Sequence, residues 1–480
     1  MGGTGLSTRN EKLVKNVLLF AVGNIGSKLL QIILVPLYTR VMTSAEYGTV
    51  DIMQAIVSLL MPIFSFTIYE AVFRYAMEKE YDKRAVFSTG IVMSLLGTAI
   101  LGVGGGVASL FIDKTFVWLV AANSAVGFFR SLLSQYARAV EKTVLFTVDS
   151  VLLTVFVLIL NVLFIVKWDM GITGYMLGYI LANLLSCILL YIFLGPYRKF
   201  SLKAVTKPLV GEMLRFSLPL IPNAVCWWVS SFIDRIVITA VVGEAANGIY
   251  AAGHKIPSML TMIVTIFFQA WQMSANQEFK KKDISDFYTA IHDQIFSVIL
   301  LVSSFLIVFC KPITSVFLGA EYYSAWQVMP LLLVAISFFS FAQFLGSIYS
   351  ANKKTTMALV TNLIGVGVSL TVNIVLVAVF KVGILGSAIA TVCSYFVLWT
   401  VRIANTGKIV PIYYKKKKMI VAVLLLVAQA VLVTFSAGGV VIFILSAAAF
   451  AALAIIFAKD MLGLIKFALG FVKKIVKRGA

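Results

Sequence analysis

Runs of about 20 apolar residues, separated by short polar connections, recur along the whole chain, and each run is long enough to cross the hydrocarbon core of a bilayer as an α-helix. The pattern therefore predicts an all-α polytopic membrane protein with fourteen transmembrane helices. The expected spans are 14–38, 48–70, 85–109, 115–137, 145–166, 172–194, 213–241, 249–273, 290–310, 325–348, 357–380, 384–403, 419–436 and 439–458.

The connections between spans alternate in charge. The two termini and every second connection form one set of segments, and 32 of the 40 Lys and Arg residues lie in or near this set. The other connections contain only five. Positively charged loops stay on the cytoplasmic side, so both termini are predicted to be cytoplasmic. The basic runs lie directly beside spans, which is typical of contact with anionic lipid and does not favour nucleic-acid binding. Residues 461–476 interleave lysines with Leu, Ile and Phe, which predicts an amphipathic helix at the membrane interface.

The sequence contains an internal repeat. A shift of 212 residues carries Asn161 onto Asn373 and the stretch Gly171–Gly174 onto Gly383–Gly386. Each half holds six spans, an even number, so both halves keep the same orientation in the membrane and form a parallel repeat. We expect an N-terminal six-helix bundle at 1–200, a C-terminal six-helix bundle at 201–408, and two extra transmembrane helices with a basic tail at 409–480.

Near the start of each half, helix-breaking residues occupy matching positions. A shift of 196 residues carries Gly23 and Gly26 of span one onto Pro219 and Pro222 of span seven. Interrupted helices at corresponding positions of two repeats are typical of a transporter's binding site. Ordinary packing is the alternative interpretation, because Gly and Pro are common in membrane helices.

Three basic residues within the predicted spans are candidates for substrate binding. Lys28 is twelve residues before Arg40, about 18 Å at the helical rise, which places it near the bilayer midplane. Arg235 and Lys255 lie nearer the outer surface on consecutive spans, where their side chains could also extend to the interface. Charges in hydrocarbon are costly, so these three residues predict a basic, water-filled cavity that binds an anionic substrate.

Acidic residues within or near the spans form a second set of candidates. Asp234 directly precedes Arg235, and two residues that are adjacent on a helix do not face each other. Asp51, Asp149 and Asp234 are predicted to bind a coupling ion or to pair with the basic residues. The sequence does not select among them.

Several classes of site are excluded by the sequence. No Gly-x4-Gly-Lys-Ser/Thr motif of a P-loop ATPase occurs, so an ion gradient or the membrane potential is the expected source of energy. The two histidines, His254 and His292, and the four dispersed cysteines offer no metal-binding motif. The short loops contain no nucleophile–base–acid cluster. We therefore expect no cofactor, no metal and no enzymatic activity.

Two stretches resemble a known family. The first is Tyr38–Gly48, which follows span one, and the second runs from Asp234-Arg235 through Gly243 and Gly248-Ile-Tyr250 to Lys255-Ile256. These stretches and the predicted spans resemble Wzx-type polysaccharide flippases of the multidrug/oligosaccharidyl-lipid/polysaccharide (MOP) exporter superfamily.

The resemblance implies that the protein flips an undecaprenyl-pyrophosphate-linked oligosaccharide from the inner to the outer leaflet of a bacterial plasma membrane, by alternating access. It also implies partnership with a polysaccharide polymerase and glycosyltransferases. Related lipid II flippases use basic residues in spans one, two and eight, and Lys28 and Lys255 match the first and last of these. Span two lacks a basic residue, so Arg235 is a hypothetical substitute.

Other functions remain open on the sequence alone. An ion-coupled multidrug antiporter with the same fold would use acidic cavity residues such as the three aspartates. A lipid II-type flippase would differ in its sugar. A membrane glycan polymerase would need a large external loop, and every predicted outer connection is short.

Overall fold

The computed structural model describes residues 33–195, 200–278, 283–352, 355–436 and 439–479. Every regular element in these ranges is helical. We number the helices α1 (residues 33–41), α2 (Ser44–Phe64), α3 (Ile68–Met77), α4 (Lys83–Ala108), α5 (Lys114–Ala139), α6 (Thr143–Asn161), α7 (Gly171–Leu194), α8 (Lys207–Ser217), α9 (Leu220–Val241), α10 (Glu244–Glu278), α11 (Ile284–Val308), α12 (Cys310–Phe317), α13 (Met329–Ala351), α14 (Thr355–Asn373), α15 (Ile384–Thr406), α16 (Lys416–Phe435) and α17 (Val440–Gly479).

Twelve helical segments in the described ranges are long and apolar enough to span a membrane. The all-α membrane fold predicted from the sequence is therefore confirmed, while the number fourteen stays a prediction. The predicted eighth span lies within α10, which is not one of the twelve, and most of the first span lies outside the described residues. The predicted interfacial helix at 461–476 is part of α17, which continues without a break from Val440 to Gly479.

Side-chain caps determine where several helices begin. The Oγ1 of Thr43 accepts a hydrogen bond from the amide of Glu46 at 3.3 Å, and the Oε2 of Glu46 accepts one from the amide of Thr43 at 2.9 Å. This capping box satisfies two amides that have no partner within the helix. Asp82 and Asp113 cap α4 and α5 in a similar way. The polar residues in the short connections therefore define the ends of the apolar runs.

The predicted span 48–70 is two helices, α2 and α3. The break follows Pro62, and the connecting residues Phe66 and Thr67 adopt left-handed φ values of 54° and 50°. Gly97 of α4 permits this geometry, because a Cβ at Gly97 would lie 1.8 Å from the carbonyl oxygen of Phe64. The apolar run alone could not reveal the break, which depends on contact with another helix.

The internal repeat is present in the backbone. The six-residue π-helical segments Val162–Lys167 and Ile374–Val379 are related by the same 212-residue shift. The shift also carries Asp169, with φ of 50°, onto Lys381, with φ of 53°. Since π-helical segments and left-handed non-glycine residues are both uncommon, their recurrence at one spacing supports a duplicated six-helix unit.

The chain forms two compact units, 1–232 and 233–480, which divide within α9. In unit 1, α8 packs on α3, and the Tyr81 hydroxyl donates to the Glu212 carboxylate at 2.9 Å. This hydrogen bond raises the pKa of Tyr81 to about 12. Although α8 begins inside the predicted second bundle, its contacts place it with unit 1.

Unit 2 is built around an aromatic core that includes Trp271 and Phe344, whose ring centroids lie 5.1 Å apart. The last two helices belong to this unit. On α16, Gln429 donates to Ser446 of α17 at 3.0 Å and accepts from Ser304 of α11 at 2.7 Å. These buried hydrogen bonds join α16 and α17 to the helices of the second repeat.

Candidate functional site

Asp234 of α9 is surrounded by hydrogen-bond donors from three other helices of unit 2. Its Oδ1 accepts from Asn373 Nδ2 at 2.7 Å and from Ser369 Oγ at 3.4 Å, both on α14. Its Oδ2 accepts from Thr391 Oγ1 of α15 at 2.6 Å and from the Tyr250 hydroxyl of α10 at 3.0 Å. The half-buried carboxylate therefore lies where α9, α10, α14 and α15 converge.

The donors around Asp234 are themselves held in place. Asn373 is fully buried, and its Oδ1 accepts from Ser387 Oγ at 2.6 Å. That bond orients the amide so that Nδ2 points at Asp234. All four donors are neutral, so they can stabilise a charged carboxylate without cancelling its charge. Such a carboxylate within a membrane helix is a candidate site for a cation or a proton.

The first repeat has a different group at the matching position. The 196-residue shift carries Tyr38 onto Asp234, and the 212-residue shift carries Asn161 onto Asn373. In unit 1 the Asn161 amide donates to the Tyr38 hydroxyl, as the Asn373 amide donates to Asp234 in unit 2. The hydrogen-bonded pair is conserved between the repeats, but unit 1 has a phenol where unit 2 has a carboxylate.

Two hydroxyl residues near Asp234 also have tyrosines at the matching positions of unit 1. The 212-residue shift carries Tyr175 onto Ser387 and Tyr179 onto Thr391. In unit 1 the Tyr38 and Tyr175 rings lie 4.9 Å apart, and the Tyr175 and Tyr179 rings also lie 4.9 Å apart. Three tyrosines thus fill the space that small hydroxyl residues and a carboxylate leave in unit 2. Sequence analysis missed this contrast, although the repeat spacing contained it.

Arg235 and Lys255, two of the predicted substrate-binding residues, lie near the same histidine, His254. Arg235 is on α9 and Lys255 on α10, both half-buried, and both interact electrostatically with His254. The two cations therefore share one region of unit 2, beside Asp234. Lys28, the third predicted cation, lies outside the described residues.

The predicted helix interruptions are described only in the second half. Helix α8 ends at Ser217 and α9 begins at Leu220, so Pro219 lies in the turn between them and Pro222 lies in the first turn of α9. Proline is tolerated in the first turn because the amides there lack helical partners. Gly23 and Gly26 lie outside the described residues.

The other two aspartates have different surroundings. Asp51 is buried on α2. Asp149 on α6 is fully buried and forms an ion pair with Arg130 of α5, whose Nη2 lies 2.9 Å from its Oδ2. Asp149 also accepts from the Ser186 hydroxyl of α7. Sequence analysis did not single out Arg130, a solitary cation in the apolar run of α5.

Unit 2 buries a guanidinium at the matching place in the repeat. Arg402 donates Nη1 to the Ala342 carbonyl at 2.6 Å, Nε to Thr361 Oγ1 at 3.2 Å and Nη2 to Asn362 Oδ1 at 2.8 Å. The 212-residue shift carries Arg130 onto Ala342 and Asp149 onto Thr361. Each unit therefore links three helices through an arginine, buried in unit 2 and half-buried in unit 1, where the arginine also has a buried carboxylate partner.

A polysaccharide biosynthesis protein family model matches residues 13–272, more than half of the 480 residues. The chain belongs to this polysaccharide biosynthesis protein family. A relative from Haemophilus influenzae, named for the Lsg locus, is 24% identical over 340 residues. The match covers 65% of this chain and 79% of that protein. The resemblance to Wzx-type flippases found in the sequence is confirmed at the level of the family.

Solved structures of the MOP superfamily share the fold of this polysaccharide biosynthesis protein. The lipid II flippase MurJ, in an inward closed conformation, aligns with a TM-score of 0.66 at 13% identity, over 93% of this chain and all of that one. A MOP transporter from Pyrococcus furiosus aligns with a TM-score of 0.57 at 14% identity, over 82% and 95%. The Vibrio cholerae MATE transporter VcmN aligns with a TM-score of 0.56 at 16% identity, over 85% and 98%.

Family and fold together describe a multi-pass membrane protein of the polysaccharide biosynthesis protein family that has the fold of MOP-superfamily transporters. At these identities the structural similarity shows the fold alone.

Proposed function

We propose that this polysaccharide biosynthesis protein flips an undecaprenyl-pyrophosphate-linked oligosaccharide from the inner to the outer leaflet of a bacterial plasma membrane. Both termini are cytoplasmic in this proposal. The two repeats alternate between inward-open and outward-open arrangements around the substrate, while the lipid tail stays in the bilayer. The transported glycan then serves the synthesis of a cell-surface polysaccharide.

The observation that carries this proposal is the basic character of the α9–α10 region. Arg235, on the candidate membrane span of α9, and Lys255, on α10, lie near His254. Arg and Lys are the side chains that bind phosphate best, and a low dielectric strengthens their attraction for it. A pyrophosphate held by Arg235, Lys255 and Lys28 fits this chemistry better than a cationic drug does.

We further propose that Asp234 carries the coupling ion. The buried carboxylate of Asp149 already has a cationic partner in Arg130, so it has less capacity for an added positive charge. Asp234 instead accepts its hydrogen bonds from four neutral donors, has Arg235 as a nearby charge, and keeps part of its surface exposed. Binding of a proton or a monovalent cation at Asp234 would reorganise hydrogen bonds from three helices. That reorganisation would link the ion to the arrangement of α9, α10, α14 and α15.

The test is native mass spectrometry of the purified full chain with undecaprenyl pyrophosphate. We expect the wild type to retain the lipid. The variants Lys255→Ala and Lys28→Ala should each retain at least about tenfold less of it, because a charge-assisted hydrogen bond contributes about 1.5–3 kcal/mol. Lys311→Ala, in a predicted outer connection, is the matched control and should bind like the wild type. Equal retention by all four proteins would contradict a basic substrate site.

A multidrug antiporter is the second candidate function, because this protein shares its fold with the MATE transporters. It predicts that cationic dyes bind the wild type, that Asp234→Asn abolishes this binding, and that undecaprenyl pyrophosphate is not retained. The same spectrometer measures both ligands, so a single set of samples separates the two functions.

A further inference from the structure

A polar cavity of about 320 Å³ lies within unit 1 between α2, α3, α5 and α6. Its volume falls in the range of small-molecule binding sites. The polar side chains in its wall are Tyr69, Arg130, Ser131, Ser134, Gln135 and Ser150. Polar side chains inside a membrane domain are costly unless they have partners, so six of them around one cavity indicate a binding site for a polar ligand.

Arg130 is fixed at the wall of this cavity. Its Nε donates to Ser186 Oγ at 3.0 Å and its Nη2 donates to Asp149 at 2.9 Å. Its Nη1 makes no hydrogen bond with any described residue and remains available to a ligand. Since Asp149 balances the charge of the guanidinium, the site offers directed donors with little net charge.

Gln135 provides the second feature of the cavity. Its Oε1 is buried and has no hydrogen-bond partner among the described residues. An unsatisfied buried acceptor costs about 1–3 kcal/mol, and a ligand hydroxyl would remove that cost. Ser131 and Ser134, on the same helix, add hydroxyl groups that can donate or accept.

We propose that this cavity binds a neutral pyranose of the lipid-linked glycan, an assignment that rests on the proposed flippase function. A pyranose presents hydroxyl groups around its rim, which match the serines, Gln135 and the Nη1 of Arg130. It also presents apolar C–H faces, which match the Tyr69 and Phe146 rings in the wall. The balanced charge of Arg130 and Asp149 favours a neutral sugar over an acidic one.

The position of the cavity along the helices agrees with this assignment. It lies where α2 ends, where α3 and α6 begin, and in the last third of α5. Under the predicted topology this is the cytoplasmic side of unit 1. A lipid-linked glycan made in the cytoplasm would enter from that side.

The test compares two probes on the full chain in nanodiscs: undecaprenyl pyrophosphate, and the same lipid carrying one neutral hexose. We expect wild type to bind the hexose-bearing lipid more tightly. Gln135→Leu should weaken binding of that lipid about tenfold and leave binding of the bare lipid unchanged, because only the sugar contact is lost. Gln135→Leu removes an unpaired acceptor, so no loss of folding is expected.

Gln294→Leu is the matched control, because Gln294 lies in an apolar cavity of unit 2. It should leave both affinities unchanged. Equal affinity of wild type for the two lipids, or an equal loss for both lipids in Gln135→Leu, would overturn the sugar assignment and leave the flippase intact. Binding of neither lipid by wild type would overturn the proposed function and the sugar assignment with it.

Discussion

At the scale of single residues, the proposed coupling role of Asp234 makes a direct prediction. Replacing the carboxylate with an amide in Asp234→Asn removes the negative charge and keeps the shape. We expect this variant to bind undecaprenyl pyrophosphate normally and to lose the acceleration of flipping by an imposed H⁺ or Na⁺ gradient. The measurement is flipping in proteoliposomes with and without each gradient.

The matched control for Asp234→Asn is Asp113→Asn, because Asp113 caps α5 and Asn is an equally good cap. This control should respond to the gradient as the wild type does. An unchanged gradient response in Asp234→Asn would move the coupling site elsewhere.

The Arg130–Asp149 pair leads to a prediction about stability. Breaking a buried pair leaves an uncompensated charge and costs about 3–5 kcal/mol, whereas replacing both partners with apolar residues is often neutral. Asp149→Leu should therefore strongly destabilise the protein, and adding Arg130→Met should restore most of the loss. A double-mutant cycle by chemical denaturation in mixed micelles measures both effects, and additive losses would show that the pair is not coupled.

Sequence analysis found some site residues and missed others for identifiable reasons. Asp234 and Arg235 were visible because they interrupt an apolar run. Arg130 also interrupts an apolar run, but its partner Asp149 lies 19 residues away on another helix, so the pairing is not visible in the sequence. Matching the Tyr38–Asn161 pair to the Asp234–Asn373 pair requires two different repeat shifts, because the second half contains additional residues between these two positions.

At the scale of elements, the break between α2 and α3 depends on close approach of α4. A methyl group at Gly97 would lie 1.8 Å from the Phe64 carbonyl oxygen, whereas one at Gly102 of the same helix would meet no atom within 4 Å. We expect Gly97→Ala to destabilise the protein by about 1–3 kcal/mol, because the backbone must shift. Gly102→Ala should stabilise it by up to about 1 kcal/mol.

Chemical denaturation of both glycine variants checks this account. Equal effects of the two substitutions would mean that the glycines act through helix propensity alone, and not through contact with Phe64.

The apolar pattern predicted the helices well and their irregularities poorly. Every described predicted span coincides with a helix or a pair of helices, because hydrophobic length determines which segments can cross a bilayer. The break at residues 65–67 and the π-helical segments were not predicted. Such features arise from packing between helices, and the composition of one segment does not record them.

At the scale of the whole molecule, one repeat appears twice with different chemistry. Unit 1 has three packed tyrosine rings, Tyr38, Tyr175 and Tyr179, at the place that matches the Asp234 site. It also contains the polar cavity beside Arg130. Unit 2 carries Asp234 and the basic pair Arg235 and Lys255. In the proposed account the duplicated fold gives two halves that move against each other, and the divergent residues assign sugar recognition to unit 1 and ion coupling to unit 2.

The most direct test of the central claim is a flipping measurement with purified protein in liposomes. Undecaprenyl pyrophosphate carrying a fluorescent-labelled hexose is placed in both leaflets, and an added glycosidase reports how much of it becomes accessible outside over time. The account predicts that wild type equilibrates the lipid across the bilayer and that Lys255→Ala is at least about tenfold slower. No acceleration by wild type over protein-free liposomes, or equal rates for wild type and Lys255→Ala, would contradict it.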